Sequence, residues 1–330
     1  LDIVLSNLAH NDYERGEYSR KSEILIYDRE RKLYVDERER AGIRTDEIGA
    51  NISGVFLDEL FSGSLIEDFN NDSVPDILFT QVYDNSYSYS RFFTGISDAP
   101  YFGETTYVSG ILIYDSLGAA YTDLNQDGCP DIIVSGKKKA EENRTLKIFL
   151  NRCDYKGDYI SFSLTGHKSG SIPTGSKIRI YLNREGRSKI LLRQVEATNA
   201  GFGQQNSEIL HFGLGSDYEI EHIEIEWQSG IFQILYQYKI NSLNFVTEPE
   251  SPENCRPDLI EFDENYYYLE NSCNSKDRYF TFVGNSCENK YSEVRDYLIG
   301  KSVFSGDNFC RDFVLVMDDK GLGRKYFINP

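Results

Sequence analysis

Apolar and polar residues alternate with a period of two through much of this chain. Ile178, Ile180 and Leu182 alternate with polar residues, as do Ile223, Ile225 and Trp227, which predicts half-buried strands. Short apolar runs recur elsewhere: Ile3-Val4-Leu5, Ile24-Leu-Ile-Tyr-Asp28, Ile111-Leu-Ile-Tyr-Asp115, Ile148-Phe-Leu-Asn151 and Tyr159-Ile-Ser-Phe-Ser-Leu164. Towards the end, Tyr266-Tyr267-Tyr268 and Phe280-Thr-Phe-Val283 read as strands, while Ser286 to Leu298 offers one helix, with Tyr291, Val294 and Leu298 on one face and Gly300 as a stop. Glu248-Pro-Glu-Ser-Pro-Glu-Asn254 reads as a polar linker. The pattern predicts a mainly β chain, with a break at that linker.

Two segments align without a gap. They are Gly63-Ser-Leu-Ile-Glu-Asp68-Phe-Asn70-Asn-Asp72-Ser-Val74-Pro-Asp76-Ile-Leu-Phe79 and Gly118-Ala-Ala-Tyr-Thr-Asp123-Leu-Asn125-Gln-Asp127-Gly-Cys129-Pro-Asp131-Ile-Ile-Val134. Each is a strand of small residues, an acidic turn and an apolar strand. Leu1-Asp2-Ile3-Val4-Leu5 matches the end of the same unit, so the sequence reads as opening inside a repeat, with an upstream part missing.

In D-x-N-x-D-x-x-x-D, the side chains at positions 1, 3 and 5 of a tight turn converge, position 7 offers its carbonyl and the Asp at 9 closes the cage. Hard oxygen donors in that number suit calcium. The expected ligands are Asp68, Asn70, Asp72, the Val74 carbonyl and Asp76 in the first turn, and Asp123, Asn125, Asp127, the Cys129 carbonyl and Asp131 in the second. Carboxylates ~4–5 Å apart would repel by ~3–4 kcal/mol per pair, which calls for a counter-ion. An EF-hand does not fit, because its twelfth position needs Glu and here holds Phe79 or Val134. Ser73 stands where the second turn has Gly128, so the first site is expected to be the weaker.

Charge and cysteines narrow the setting. A net charge of −18 argues against nucleic acid and anionic lipid as partners, and no apolar run is long enough to insert in a membrane. Cys129, Cys153, Cys255, Cys273, Cys287 and Cys310, with no C-x-x-C pair, read as disulfides and hence as an extracellular or cell-surface protein. A strand out and back between Cys129 and Cys153 would let them pair. The four tail cysteines would then pair among themselves, in one of three ways. Asn51, Asn71 and Asn143 head glycosylation sequons, Asn71 inside an acidic turn.

The acidic turns and flanking strands resemble FG-GAP/VCBS repeats, the calcium-loop blades of integrin-α-like β-propellers. The segment from Ile24 to Ile43, ending Ala41-Gly42-Ile43, is similar to the stretch that links blades in bacterial members. The turns lie 55 residues apart and Asp2 lies 74 before Asp76, which suggests an insertion around Tyr83 to Arg91. From Tyr159 to Leu235, the ordered motifs Gly175-Ser-Lys-Ile-Arg-Ile-Tyr-Leu, Gly201-Phe-Gly-Gln-Gln-Asn-Ser, His211-Phe-Gly-Leu-Gly215 and Ile223-Glu-Ile-Glu-Trp-Gln-Ser-Gly230 resemble the UnbV/ASPIC domain of secreted bacterial and cartilage acidic-type proteins. Gln228 departs from it, since the family usually shows Pro there. The resemblance implies partial propeller blades over 1–156, a β-sandwich-like UnbV/ASPIC domain over 157–249 and, after the linker, a small disulfide-rich tail module over 250–330.

No G-x-S-x-G, H-E-x-x-H or Walker motif is present. Of His10, His167, His211 and His222, His211 reads as a structural hydrogen-bonding residue and His222 as a polar surface residue. The sequence therefore points to a non-catalytic, calcium-stabilised adhesion or recognition protein with a protein or glycan ligand, open blade edges offering self-assembly. The alternatives are a subunit of an extracellular filament or matrix and, less favoured, a carbohydrate-active enzyme.

Overall fold

The structure, a computed structural model, describes residues 3–6, 22–28, 30–43, 61–82, 89–97, 101–138, 143–153, 157–197 and 205–250. Beyond them it describes the strands at 258–263, 266–270, 279–285, 291–294, 298–300, 312–318 and 322–327. The protein is mainly β, in several sheets, none of which closes on itself among the described residues. It divides into two compact units.

The first unit comprises Leu1–Ser161, Glu196–Asp217 and Ile240–Leu243. Its first sheet holds β1 (Ile3–Leu5), β2 (Glu23–Asp28) and β3 (Leu33–Asp36) in that order. The second holds β4 (Phe61–Glu67), β5 (Asp76–Gln81), β6 (Arg91–Gly95) and β7 (Phe102–Glu104), also in chain order. After a four-residue helix, α1 (Thr106–Ser109), the third has β8 (Tyr114–Thr122), β9 (Asp131–Lys137) and β10 (Thr145–Phe149) in the order β10-β9-β8. Ile111 and Ile113 are buried ahead of β8 rather than within a strand, because α1 delivers the chain there.

Alternation decides how these sheets stack. Every residue of β5 is buried, so both its faces are covered. Ile77 and Phe79, with Phe61 and Phe93, face Ile24, Ala41 and Ile43 of the first-sheet segment. Leu78, with Leu65 and Phe92, faces the other way, onto Ala119, Ile132 and Val134 of the third sheet. In the sequence repeat Ile77 corresponds to Ile132 and Phe79 to Val134. Both pairs face the sheet that precedes theirs, so the repeat in sequence is a repeat in space. Each such buried aliphatic or aromatic side chain contributes roughly 1.5–3 kcal/mol.

A short sheet of order β14-β11-β17 follows, made of β11 (Asp158–Thr165), β14 (Leu210–Gly215) and β17 (Leu243–Thr247). The chain passes from one unit to the other within β11 and within β17.

The second unit comprises Phe162–Val195, Tyr218–Lys239 and Asn244–Pro330. β12 (Lys177–Arg184) and β13 (Arg187–Gln194) form a hairpin whose two turn residues, Glu185 and Gly186, both have positive φ, 49° and 81°. That is the turn whose twist matches paired strands. β15 (Glu219–Glu226) pairs with β12 and with β16 (Ile231–Leu235). The turn between β15 and β16 explains Gln228: its N–H donates to Ser176 Oγ at 2.9 Å, a bond proline cannot make.

The tail adds to the sheet of β12, β13, β15 and β16. Its strands β20 (Tyr279–Asn285), β21 (Tyr291–Val294), β23 (Asp312–Asp318) and β24 (Leu322–Phe327) extend the same sheet, in the order β13-β12-β15-β16-β24-β23-β20-β21. β24 pairs with β16, and Phe313 and Leu315 pack with Phe232. Without them β16 would be an edge strand with an exposed apolar face. β18 (Asp258–Asp263), β19 (Tyr266–Glu270) and β22 (Leu298–Gly300) form a smaller sheet. The helix expected over Ser286 to Leu298 is absent: its described part is β21 and the start of β22, where cross-strand pairing with β20 and β19 overrides a weak helical pattern.

Glu248, assigned to the linker by sequence, is buried instead. Its carboxylate accepts the N–H groups of His167 (2.6 Å) and Ser169 (2.9 Å) and the hydroxyls of Ser169 and Ser229. Burial alone would raise its pKa, but the bonds from Ser229, Ser169 and His167 hold it below its ordinary 4.5. A depressed folded-state pKa means the carboxylate's stabilisation is fully present above that ordinary value and fades as pH falls through the lower one. Glu248→Gln should lower stability by about 2–3 kcal/mol at pH 7, since its amide NH2 faces donors. Urea denaturation should show that difference shrinking at pH 3.

Candidate metal centres

The two acidic turns are built alike, hydrogen bond for hydrogen bond. The carboxylate at position 1 accepts the N–H groups of positions 5 and 6: Asp68 from Asp72 (3.1 Å) and Ser73 (2.7 Å), Asp123 from Asp127 (3.1 Å) and Gly128 (2.9 Å). Position 5 accepts the N–H of position 7, Val74 at 2.7 Å and Cys129 at 3.0 Å. Position 9 accepts the N–H of position 2 and one from a following segment: Asp76 from Phe69 and Gly95, Asp131 from Leu124 and Asn151. Positions 4 and 6 are left-handed in both, Asn71 and Ser73 in one and Gln126 and Gly128 in the other. Gly128 has two reasons to be glycine: its φ is +90°, and a Cβ there would come within 2.1 Å of the Tyr159 ring.

These carboxylates are in electrostatic conflict. Burial, followed by the charges of Asp72 and Asp76, pushes Asp68 up to about 8. Burial also pushes Asp76 up to about 7 against the two N–H groups that favour its charge. Asp123 is raised by burial too, with Asp127 and Asp131 adding to it. A divalent cation would remove the conflict, since it favours the charged form of every carboxylate around it.

The donor set fits such an ion in kind. Each carboxylate oxygen engaged by one N–H keeps a second lone pair. The carboxylates are not drawn in to a shared point, however. Among the described residues the one trio of acidic, cysteine or histidine ligand atoms within 4.8 Å of each other is Asp127, Cys129 and Cys153, and the two sulfurs are joined in a disulfide with a Cα–Cα distance of 5.9 Å. The separation of ~4–5 Å inferred from sequence is thus not met by all three carboxylates in either turn. In each turn the amide at position 3 clasps the carboxylate at position 5 instead, Asn70 Nδ2 to Asp72 at 2.9 Å and Asn125 Nδ2 to Asp127 at 3.0 Å. Asp72 and Asn125 are exposed, so both turns open to solvent.

Sequence reading missed Asn71. Its side chain is buried, which removes it as a glycan acceptor in the folded protein. Nδ2 donates to the Gly128 carbonyl at 2.9 Å, linking the two turns, and Oδ1 meets His211 Nε2 at 2.6 Å. The amide oxygen can only accept, so Nε2 carries the proton, and in the neutral ring Nδ1 accepts from Ser161 Oγ at 3.0 Å. His211 is therefore a hydrogen-bonding bridge. Gly213, two residues on, lies so close that a Cβ would fall 2.0 Å from Asp68 Oδ2. The motif His211-Phe-Gly-Leu-Gly215 was the available signal, but sequence placed it in a different domain from the turn it supports. His222, expected at the surface, is half-buried, stacked on Tyr181 at 4.0 Å and bonded to Glu224. Cys255, Cys273, Cys287 and Cys310 lie outside the described residues.

Residues 166–253 match the family described as ASPIC and UnbV. Within that match, 196–217 belong to the compact unit that carries the acidic turns. No curated protein matches the chain.

Asn71→Ala removes the donor to Gly128 and the acceptor for His211, and places a Cβ-bearing residue without a compensating polar group at φ +59°. It should destabilise the first unit by about 2–4 kcal/mol. Thermal melts read this out, and Gly128→Ala should act in the same direction, by straining the second turn and crowding the Tyr159 ring.

Proposed function

We propose that this chain is a calcium-stabilised recognition or adhesion protein acting outside the cytoplasm, in which FG-GAP/VCBS-type propeller blades precede the UnbV/ASPIC segment. The observation that carries this reading is the identical hydrogen-bond network of the two acidic turns, each placed between the first two strands of a sheet in a stack. Asp68, Asn70, Asp72, Asp76 and the Val74 carbonyl would hold one ion; Asp123, Asn125, Asp127, Asp131 and the Cys129 carbonyl the other. Calcium has a structural role here: it neutralises carboxylates that burial otherwise drives towards protonation, and it replaces the Asn–Asp clasp in each turn. Ser73 has positive φ at 71° where Gly128 carries none of that cost, so the first site is the weaker.

The reading is non-catalytic, with a protein or glycan as ligand. The disulfide between Cys129 and Cys153 is in keeping with an oxidising compartment. It leaves the four tail cysteines to pair among themselves, which peptide mapping under non-reducing conditions tests: a bond from any of them to Cys129 or Cys153 refutes it.

Calorimetric titration of the calcium-depleted protein should find two ions per chain, and Asp127→Ala should find one. Chelation should lower the melting temperature by several degrees, and Asp127→Ala should abolish much of that dependence. A melting temperature indifferent to chelator would refute the calcium reading.

A further inference from the structure

A cavity of about 310 Å3 lies beside the second acidic turn, and every residue lining it belongs to the first unit. That volume is at the small end of ligand sites, which run from roughly 300 to 1,000 Å3, and it suits one ring rather than an extended chain. The turn brings Asp123 and Gln126 into the wall, the end of β8 brings Tyr121 and Thr122, and β11 brings Tyr159. Ser207, just ahead of β14, completes the polar side.

The repeat sets one of these side chains apart. Gln126 stands at position 4 of its turn, as Asn71 does in the first, and the two share a left-handed backbone, φ 58° and 59°. The Asn71 amide is spent inside the protein, where it donates to the Gly128 carbonyl and accepts from His211. The Gln126 side chain is exposed at the cavity instead, and its amide bonds to no other described residue. An amide that donates and accepts at once is matched by two neighbouring hydroxyls, each of which does the same.

Other groups in the wall have the same neutral character. Ser207 Oγ accepts the Ile209 N–H at 3.2 Å and keeps its own proton to donate. Thr122 and Tyr159 add a hydroxyl each. His211 adds only its ring, since both nitrogens are engaged, and that ring is stacked on Tyr159 with centroids 5.5 Å apart. Tyr121 and Tyr159 are half-buried, and the negative face of a tyrosine ring attracts polarised C–H groups such as those of a sugar.

Charge selects against other small ligands. No described lysine or arginine lines the cavity, so a phosphate, a sulfate or a sugar acid would face Asp123 with no cation to hold it. A quaternary ammonium would need Asp123 as its counter-charge, and a calcium ion in the turn takes up that charge. We infer that this cavity binds a single neutral sugar residue, with Gln126 taking two adjacent hydroxyls and the tyrosine rings the C–H face. The inference deepens the recognition reading and rests on it for the calcium in the turn. Calcium is read by calorimetry and melting and the sugar by saturation transfer, so the failure of either shows without the other.

Saturation-transfer NMR on the calcium-loaded full chain tests this with galactose, mannose, fucose and N-acetylglucosamine as free monosaccharides. Galacturonic acid and choline serve as charged comparators. At least one neutral sugar should receive transfer, and neither charged compound should. Gln126→Ala should raise the dissociation constant of that sugar about five- to tenfold, through the hydrogen bonds it loses. Thr122→Val keeps a β-branched residue in β8 and should raise it about threefold. Both variants should melt as the unaltered protein does and keep its response to calcium, since neither side chain is a ligand in the turn. Absence of transfer to every neutral sugar, equal transfer to galacturonic acid or choline, or an unchanged dissociation constant in Gln126→Ala would overturn the inference.

Discussion

In each acidic turn the closing carboxylate is held almost wholly inside the protein. Asp76 and Asp131 spend both oxygens on backbone N–H groups, one from the second residue of their own turn and one from a later segment, Gly95 or Asn151. Turn, strand and following strand are thereby fixed to a single side chain. At Asp76 that arrangement needs a negative charge at a place where burial disfavours one. Two N–H donors contribute part of the compensation, but Asp76 still rises to about 7. These two donors therefore do not offset burial at Asp76, and a bound cation would favour its charged form.

The consequences spread outward from the turns. Asn71, held at positive φ by the first turn, reaches both the second turn and β14. Asn151 behaves comparably: its N–H serves Asp131 while its side-chain amide donates to the carbonyl of Phe69 at 2.6 Å. The two turns are thus cross-braced by two asparagines, and the disulfide from Cys129 to Cys153 spans the same region covalently. Anything that loosens one turn is transmitted to the other through a few buried polar bonds, each costly to leave unmade.

What the sequence disclosed follows from which interactions are local. The acidic turns, their flanking strands and the mainly β character were legible because alternation and turn chemistry act over a few residues, as in Asp68 to Asp76 or Ile178 to Leu182. The helix expected over Ser286 to Leu298 failed because pairing with distant β19 and β20 decides that segment. Glu248 was read as a linker residue for the same reason: the four donors that hold it come from His167, Ser169 and Ser229, 19 to 81 positions away. His211 was correctly read as a hydrogen-bonding residue, yet its partner Asn71, 140 positions earlier, could not be named. The tail was separated because proline and charge mark Glu248 to Asn254 as a break, whereas β24 crosses that break to pair with β16.

The repeat also explains why one sheet is covered on both sides and its neighbour on one. Identical side-chain parity in the two repeats obliges Leu78 and Ile133 to face the same direction in their respective sheets; Leu78 is wholly buried against the third sheet, whereas Ile133 is half-buried. A strand such as β5, apolar on both faces, is stable only as an interior layer. β10 is apolar on the face it shares with Ile133 but carries Thr145 and Lys147 on the other, beside Phe149. Its sequence therefore retains the apolar alternation of an interior layer on a face where Leu146, Ile148 and Leu150 are exposed. Within one sheet this tension cannot relax by slipping register, because a one-residue shift would expose Phe149 and withdraw Asn151 from Asp131. The acidic turn thus fixes not only its own geometry but the outward direction of Ile148, two strands away.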